Sequence, residues 1–268
     1  MSKRETIGLG RTAEILSWNE NQVLKLLRDG WSLSSAKWEE NVARKIYETG
    51  LPVPAVFGIV EVNGRHGIVY ERVNGPSMLS LLIAKPEKIE YFAAMFAKLH
   101  AQMHSIESAG LPPQRQRLER KIHDAEPLPD NRKKTALRAL RRLPEGNVVC
   151  HGDFHPDNIL MSSRGPVIID WSDATCGNPQ ADIARTLLLL KQGEPLQQAD
   201  FGKRKTSMRS SFIDAYLKSY TKTRPASLEE IDLWRLPVAA ARLSEGIKEE
   251  ENRLLSIIET LAQNQTFR

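Results

Sequence analysis

One short segment constrains this chain more than any other: residues 151–158, His-Gly-Asp-Phe-His-Pro-Asp-Asn, followed by an apolar run that ends at Asp170. The order places one carboxylate, Asp153, ahead of two oxygen-bearing side chains, Asn158 and Asp170. The first carboxylate could orient a hydroxyl nucleophile, and the other two side chains could provide oxygen ligands for magnesium. Phosphoryl transfer requires little else from a protein, because positioning and charge neutralisation supply most of the catalysis. The alternative is a polar loop between buried strands, in which Asp and Asn only form turns. The second Asp at the end of an apolar strand favours phosphoryl transfer.

The same segment carries a resemblance to a known family. Signature blocks of the aminoglycoside phosphotransferase and choline kinase family resemble residues 151–160, 169–171, 177–179 and 182–184. The resemblance implies an α+β, two-lobed protein-kinase-like fold, with a small antiparallel-sheet N-lobe and a larger, mainly helical C-lobe. It also implies Mg²⁺-dependent transfer of the γ-phosphoryl group of ATP, or GTP, to a hydroxyl of a small molecule. Trp171 and Ser172 replace the Phe and Gly of protein kinases, which favours a small-molecule enzyme.

The pattern of residues 5–75 predicts short strands around one helix, and the lobe that they form is predicted to span residues 1–74. An Asn-Gly pair at residues 63–64, between strand-like segments, is a strong hairpin signal. Residues 34–49 have helical periodicity, with Ser34 or Ser35 as the expected cap. This part is therefore predicted to be the nucleotide-binding lobe.

Residues 75–268 are predicted to form the catalytic and acceptor-binding lobe, and most of this part has helical periodicity. The pair Gly75-Pro76 marks a linker, which places the boundary between the lobes at about residues 74–77.

Two glycines and one lysine mark the expected phosphate-binding side. Gly8 and Gly10 lie between strand-like segments, where glycine lets backbone N–H groups approach phosphate oxygens, although most such pairs are plain turns. Lys25 interrupts an apolar strand, so either that face of the strand meets water or the ammonium has a buried partner. The residue pattern leaves both interpretations of Lys25 open. The family resemblance favours phosphate binding by all three residues.

The resemblance also implies partners for these groups. Glu39 best matches the family's glutamate that pairs with the phosphate-binding lysine, and the neighbouring Glu40 competes for that role. Glu71 and Val73 end the last strand of the N-lobe, where the backbone of kinase-like folds binds the nucleotide base. Both are therefore candidates for the nucleotide site.

Each polar residue of the central motif has an expected role. Asp153 is predicted to act as the base, or to orient the acceptor hydroxyl. Asn158 and Asp170 are predicted to bind Mg²⁺ through oxygen atoms. His155 either neutralises phosphate charge or shapes the loop. Asp182 opens a helix, where an acid is favourable, and is interpreted as a structural residue that supports the catalytic loop.

Other polar clusters are given structural interpretations. His100 and His104 lie one turn apart on a predicted helix at residues 87–107, a spacing that suits a metal, but the sequence reveals no acidic third ligand. Basic residues are dense in Arg115–Lys121 and Arg132–Arg142. Because no aromatic residues are interleaved with them, solvated helix faces are expected rather than a nucleic-acid site.

The acceptor is the least constrained part of the prediction. An aminoglycoside-like antibiotic is one candidate, and a metabolic acceptor such as choline, ethanolamine or a sugar is another. Four glutamates form either a solvated helix face or a site for a cationic acceptor: Glu245, Glu249, Glu250 and Glu251. A catalytically silent nucleotide-binding protein on the same fold is the alternative from a different functional class.

Composition excludes several other classes. The chain has 268 residues, of which 41% are hydrophobic, and a net charge of +5, which does not by itself imply a nucleic-acid partner. Its two cysteines, Cys150 and Cys176, are too few for a disulfide framework. No apolar segment follows Met1–Glu5 and no run approaches the length of a membrane span, so we expect a cytoplasmic protein without a signal peptide. The sequence does not predict the oligomeric state.

Overall fold

The computed structural model describes residues 5–107, 110–192 and 202–265. Met1–Arg4, which entered the signal-peptide argument, therefore lie outside the described residues. Within the described ranges, no helix combines the length and the apolar character that crossing a bilayer requires.

The chain folds into two compact units, and neither is a single continuous segment. The first comprises the described residues of Met1–Leu81 and Pro156–Asp173, and the second those of Leu82–His155 and Ala174–Arg268. The chain thus passes from one unit to the other inside the central motif, between His155 and Pro156. The lobe boundary after residue 74 stays a prediction.

The described residues form short strands and longer helices. The strands are β1 (Thr6–Leu9), β2 (Ala13–Asn19), β3 (Gln22–Leu27), β4 (Val56–Val62), β5 (Arg65–Glu71), β6 (Val148–Cys150), β7 (Ile159–Ser162), β8 (Gly165–Ile168) and β9 (Thr175–Gly177). The helices are α1 (Leu33–Glu48), α2 (Met78–Ala84), α3 (Ile89–Met103), α4 (Gln114–Asp124), α5 (Asp130–Arg142), α6 (Pro179–Gln192), α7 (Gly202–Thr223), α8 (Leu228–Leu233), α9 (Arg235–Arg242) and α10 (Lys248–Gln265).

An antiparallel sheet with the strand order β1-β2-β3-β5-β4 forms most of the first unit. Side chains alternate between its faces. Leu24 and Leu26 of β3 pack in one apolar cluster, and Leu27 packs in another together with Ala36 of α1. Because Lys25 has the parity of Leu27, it lies on the face that α1 covers. The antiparallel sheet expected from sequence is confirmed.

Helix α1 brings an acidic residue into an apolar face. Ser32 caps the helix by accepting a hydrogen bond from the backbone N–H of Ser35 at 3.3 Å, so the expectation of a cap at Ser34 or Ser35 is wrong by two or three residues. The stripe of buried residues on α1 follows helical spacing: Ala36, Glu39, Val42, Ala43 and Ile46.

The β7–β8 hairpin belongs to the first unit and follows the motif directly. Ile159 pairs with Ile168, and the N–H of Ile169 donates to the carbonyl of Asn158 at 3.0 Å. This pairing sets Asn158 beside the strand end that carries Asp170.

Helix α9 lies at the centre of the second unit. It packs against α4, α5, α6 and α10, and every residue from Leu236 to Arg242 is buried. Helix α3 packs along α7, and Phe96 of α3 stacks on Phe154 of the motif with ring centroids 4.3 Å apart. This core fixes the apolar side of the motif.

A buried polar cluster joins α3, α6 and α7. Asp182 Oδ2 lies 3.1 Å from His100 Nε2 and 3.2 Å from His104 Nε2. The Nδ1 atoms of these histidines lie 2.8 Å from the hydroxyls of Tyr216 and Tyr220, respectively. Asp182 is thus the acidic group that the sequence did not place beside the histidines. Because each imidazole nitrogen has a protein hydrogen-bond partner, hydrogen bonding accounts for the cluster without a metal.

The protonation states of this cluster follow from its burial. Burial lowers the pKa of His100 to about 3 and lowers that of His104 as well, although Asp182 opposes both shifts. Burial would raise the pKa of Asp182, but hydrogen bonds from the two histidines outweigh it and hold the pKa well below the ordinary range. Both imidazoles are therefore neutral, donate from Nε2 to a carboxylate, and accept at Nδ1 from the tyrosine hydroxyls.

Asp182 also holds the start of the central motif. Its carboxylate accepts hydrogen bonds from the backbone N–H groups of His151 and Gly152, each at 2.8 Å. The histidines hold the buried Asp182 carboxylate, and the carboxylate in turn holds the backbone of the loop. These contacts are the kind that the predicted structural role of Asp182 requires.

The buried histidines predict acid sensitivity. Their pKa values are lower in the folded than in the unfolded chain, so the unfolded chain takes up protons first, and stability falls as pH drops below about 6.5. We expect His100→Gln to flatten this loss by up to about 1.4 kcal/mol per pH unit. Urea denaturation at pH 7.5, 6.5 and 5.5 measures the slope.

The control for this experiment is His123→Gln, because the His123 side chain is exposed. The control should follow the wild-type slope. Equal pH slopes in the wild type and His100→Gln would contradict the assignment of His100 as a neutral, buried group.

Candidate active site

Lys25 carries a buried positive charge in the first unit. Its Nζ lies 2.7 Å from Glu39 Oε1 and 2.9 Å from Asp170 Oδ1, and its side chain is 11% exposed. Burial alone would lower the pKa of Lys25, but the carboxylates of Asp170 and Glu39 outweigh it and raise the pKa. The ammonium therefore stays charged. The sequence left open whether Lys25 faces water or is buried with a partner, and in the structure it is buried with two partners.

Helical register decides between the two candidate glutamates. Glu39 lies in the buried stripe of α1 and also accepts a hydrogen bond from the Tyr70 hydroxyl at 3.3 Å. Glu40, one residue further along the helix, turns away and forms an ion pair with Arg44. The partner of Lys25 is thus Glu39, which the family resemblance had indicated.

Asp170 has an unusual backbone conformation. Its φ of +62° lies in the left-handed region, which non-glycine residues seldom adopt. Such strain persists where the surroundings impose it and is common at functional sites. The carboxylate accepts hydrogen bonds from Lys25 and from the Ser172 hydroxyl, the latter at 3.1 Å, and it stays 40% exposed.

Asn158 and Asp170 offer a donor set that suits magnesium. One amide oxygen and one carboxylate are hard oxygen ligands of the kind that Mg²⁺ takes together with phosphate and water. The β7–β8 pairing places these residues at the same end of one hairpin. The residues present therefore fit the metal that the sequence predicts.

The two glycines lie at the first turn of the sheet. Gly8 is part of β1 and pairs with Ile15, whereas Gly10 begins the turn into β2 and donates its N–H to the Ala13 carbonyl at 2.8 Å. The Gly10 carbonyl accepts hydrogen bonds from the Arg28 guanidinium at 3.1 and 2.9 Å. Phosphate binding at this turn stays a prediction.

Glu71 and Val73 lie at and just beyond the end of β5. The Glu71 carboxylate accepts a hydrogen bond from the Ala55 N–H at 3.1 Å and forms an ion pair with Arg164 at 2.8 Å. The side chain of Glu71 thus fastens the strand end within the first unit, and base recognition by the backbone here stays a prediction.

In the second unit, Asp153 lies between a histidine and an arginine. Its Oδ2 is 3.5 Å from His155 Nε2, and its Oδ1 accepts a hydrogen bond from Arg185 Nη2 at 3.3 Å. Burial would raise the pKa of Asp153, but His155, Arg185 and Arg242 together outweigh it and lower the pKa. Asp153 is therefore a carboxylate, and His155 lies beside it.

Two features of the site were not predicted from the sequence: the position of Arg185 and the pairing of Glu245. Arg185 occupies the buried face of α6 among apolar residues, and a charge in that position was the available signal. Glu245 forms an ion pair with Arg185 at 2.8 Å, a contact between residues far apart in the chain that sequence spacing does not reveal.

The C-terminal acidic cluster is not uniformly solvated. Glu250 is buried and accepts hydrogen bonds from Arg242 at 2.8 and 2.9 Å. Glu245 pairs with Arg185 and Arg242, whereas Glu249 is exposed. Of the two alternatives for this cluster, a solvated face is therefore wrong for Glu250, because its carboxylate is buried and pairs with Arg242.

Comparisons with known proteins identify the family of this chain and solved structures of similar fold. The profile of the phosphotransferase enzyme family, APH, matches residues 10–231. Similar solved structures include a thermostable mutant of aminoglycoside phosphotransferase APH(4)-Ia in ternary complex with AMP-PNP and hygromycin B (16% identity, 98% of this chain and 93% of that chain, TM-score 0.65). Another is the amicoumacin kinase hAmiN in complex with AMP-PNP, Ca²⁺ and Ami, at 13% identity over 98% of this chain and 89% of that chain, with a TM-score of 0.67.

A third similar structure is the aminoglycoside-3'-phosphotransferase of type VIII, at 20% identity over 90% of this chain and 92% of that chain, with a TM-score of 0.58. At such identities these structures show the fold, and they confirm the predicted kinase-like α+β class. The family is shown by the profile, which covers most of the chain. This protein belongs to the phosphotransferase enzyme family.

Proposed function

We propose that this protein transfers the γ-phosphoryl group of ATP to a hydroxyl group of a small molecule. The observation that carries the proposal is the buried ammonium of Lys25, held 2.7 Å from Glu39 and 2.9 Å from Asp170. A lysine held by a helix glutamate is the device with which kinase-like enzymes hold the phosphates of a nucleotide. Membership of the phosphotransferase enzyme family supports the same reaction.

The first unit would bind the nucleotide. Lys25 would contact the α- and β-phosphates, and the turn that begins at Gly10 would let phosphate oxygens approach the backbone closely, because glycine has no side chain there. Asn158 and Asp170 would hold Mg²⁺, which neutralises charge on the phosphate oxygens when bound. ATP is the proposed nucleotide because two of the similar structures contain AMP-PNP, and GTP is the alternative.

Asp153 would orient the acceptor hydroxyl rather than act as a strong base. Its lowered pKa makes the carboxylate a weak proton acceptor. Phosphoryl transfer through a loose transition state needs little deprotonation of the nucleophile before the bond to phosphorus forms. A carboxylate that accepts a hydrogen bond from the hydroxyl therefore suffices, and the neighbouring His155 and Arg185 keep it ionised.

The acceptor is proposed as a small hydroxyl compound, without preference for a polycation. Glu245 and Glu250 are already paired with Arg242, so neutralising the amino groups of an aminoglycoside would require them to give up that partner. Glu245 and Glu250 thus lend no support to an antibiotic over a metabolic acceptor.

We propose that the enzyme acts in the cytoplasm, where ATP and Mg²⁺ are supplied, and that it does not bind nucleic acid. Two basic residues of the segments Arg115–Lys121 and Arg132–Arg142 form contacts within the fold. Arg115 donates to the carbonyls of Leu140 and Leu143, each at 2.6 Å, and Arg132 pairs with Glu259.

Asp153→Asn tests the role of the proposed orienting group. The amide keeps the shape of the side chain but loses the charge that fixes the hydroxyl, so we expect turnover to fall by about a hundredfold or more. The affinity for Mg²⁺–AMP-PNP, measured by calorimetry, should stay close to the wild-type value.

The matched control is Asp157→Asn, which removes an exposed carboxylate from the same segment and should leave turnover close to the wild-type value. Near-normal turnover in Asp153→Asn would overturn the assignment of Asp153.

A pair of substitutions in α1 tests the nucleotide side. Glu39→Gln leaves the Lys25 ammonium with one carboxylate fewer and lets it move, so kcat/KM for ATP should fall by roughly ten- to a hundredfold. Glu40→Gln removes only an ion pair with Arg44 at the surface and should have little effect. Steady-state kinetics and thermal unfolding of both variants give the comparison. Equal kcat/KM values in the two variants would contradict the proposed role of the Lys25–Glu39 pair.

A further inference from the structure

Arg185 connects the backbone and the side chain of the catalytic loop. Its Nε donates to the Gly152 carbonyl at 3.0 Å, and its Nη2 donates to Asp153 Oδ1 at 3.3 Å. The guanidinium is planar and presents its donors in a fixed fork. Two hydrogen bonds from one rigid group therefore fix the orientation of the Asp153 carboxylate relative to its own backbone.

Glu245 holds Arg185 on the opposite side. The same Nη2 atom that reaches Asp153 lies 2.8 Å from Glu245 Oε1, so one nitrogen is shared between two carboxylates. The shorter contact is the one to Glu245. Hence the position of Glu245 sets where the guanidinium lies and how closely it approaches Asp153.

Glu245 is itself fixed by cations from other elements. Arg242 of α9 pairs with it, and Lys121 of α4 lies 3.4 Å from its Oε1. Arg242 is held in turn by Glu250 of α10 through two hydrogen bonds at 2.8 and 2.9 Å. Side chains with little exposure thus alternate in charge from α10 to the catalytic loop: Glu250, Arg242, Glu245, Arg185 and Asp153.

We propose that Arg185 is a positioning residue for Asp153 and that Glu245 acts on Asp153 through Arg185. The inference rests on the proposed function, because it takes Asp153 as the group that orients the acceptor hydroxyl. A carboxylate without this clamp still reaches the hydroxyl but spends less time in the productive orientation, and small displacements of a reacting group reduce turnover strongly.

The effect should fall on turnover and not on nucleotide binding. We expect Arg185→Gln to lower kcat by roughly ten- to a hundredfold with the KM for ATP changed by less than about threefold. Arg185→Lys keeps the charge but loses the fork, and its kcat should lie between those of Arg185→Gln and the wild type. Each kcat is divided by the fraction of protein that binds Mg²⁺–AMP-PNP, so that partial unfolding does not count as lost catalysis.

The control is Arg132→Gln, which removes an arginine–carboxylate pair of the same unit, Arg132 with Glu259 at 2.7 Å. It should retain the wild-type kcat. If Arg185→Gln matches this control in kcat, the proposal is wrong, whatever either variant does to the melting temperature.

Double-mutant cycles distinguish positioning from general support of the fold. If Arg185 acts through Asp153, Arg185→Gln should lower the residual kcat of Asp153→Asn by less than about threefold. Glu245→Gln should likewise add little to Arg185→Gln. Additive losses in both cycles would overturn the proposal.

The same cycle separates this inference from the proposed function. An Asp153→Asn enzyme that retains normal turnover would refute the proposed role of Asp153, and the inference about Arg185 with it. A severely impaired Asp153→Asn combined with additive losses would refute the inference about Arg185 alone.

Discussion

The Lys25 ammonium, shared between Glu39 and Asp170, is the interaction on which the first unit depends. A buried charge is tolerated only when partners and hydrogen bonds replace its lost hydration. Its partners come from α1 and from the segment that follows β8, so one ion pair on each side of the lysine ties the sheet, the helix and the hairpin together. The electrostatic requirement of a single strand residue thus arranges the groups proposed to hold phosphate and metal.

A buried anion plays the corresponding part in the second unit. Asp182 lies among neutral histidines and accepts hydrogen bonds from the backbone of His151 and Gly152. Each unit therefore holds its part of the central motif through one buried charge, and the chain changes units between the parts, after His155. The first unit contributes the groups proposed to bind phosphate and metal, and the second contributes the carboxylate proposed to orient the acceptor.

The sequence predicts local features of this arrangement well and distant pairings poorly. Asp153, Asn158 and Asp170 stand in one segment, so their order alone indicates the chemistry, and Lys25 stands out as a charge in an apolar strand. Glu39 is preferred to Glu40 through the family resemblance, although helical spacing also favours it, because Glu39 lies on the same face as the apolar residues Val42 and Ile46. Arg185 and Glu245 could not be paired, since no local periodicity links α6 to a segment sixty residues further along the chain. For the same reason, the contacts of Asp182 with His100 and His104 could not be predicted from the sequence.

The most direct test of the central claim is phosphate transfer from γ-labelled ATP and GTP to a panel of hydroxyl compounds, with and without Mg²⁺. The panel would contain aminoglycosides, macrolides, choline, ethanolamine and sugars. The wild type should label at least one compound in a Mg²⁺-dependent reaction, and Lys25→Met should label that compound far less. Failure to bind either nucleotide in the presence of Mg²⁺, together with no labelled product, would contradict the claim that this protein is a phosphotransferase.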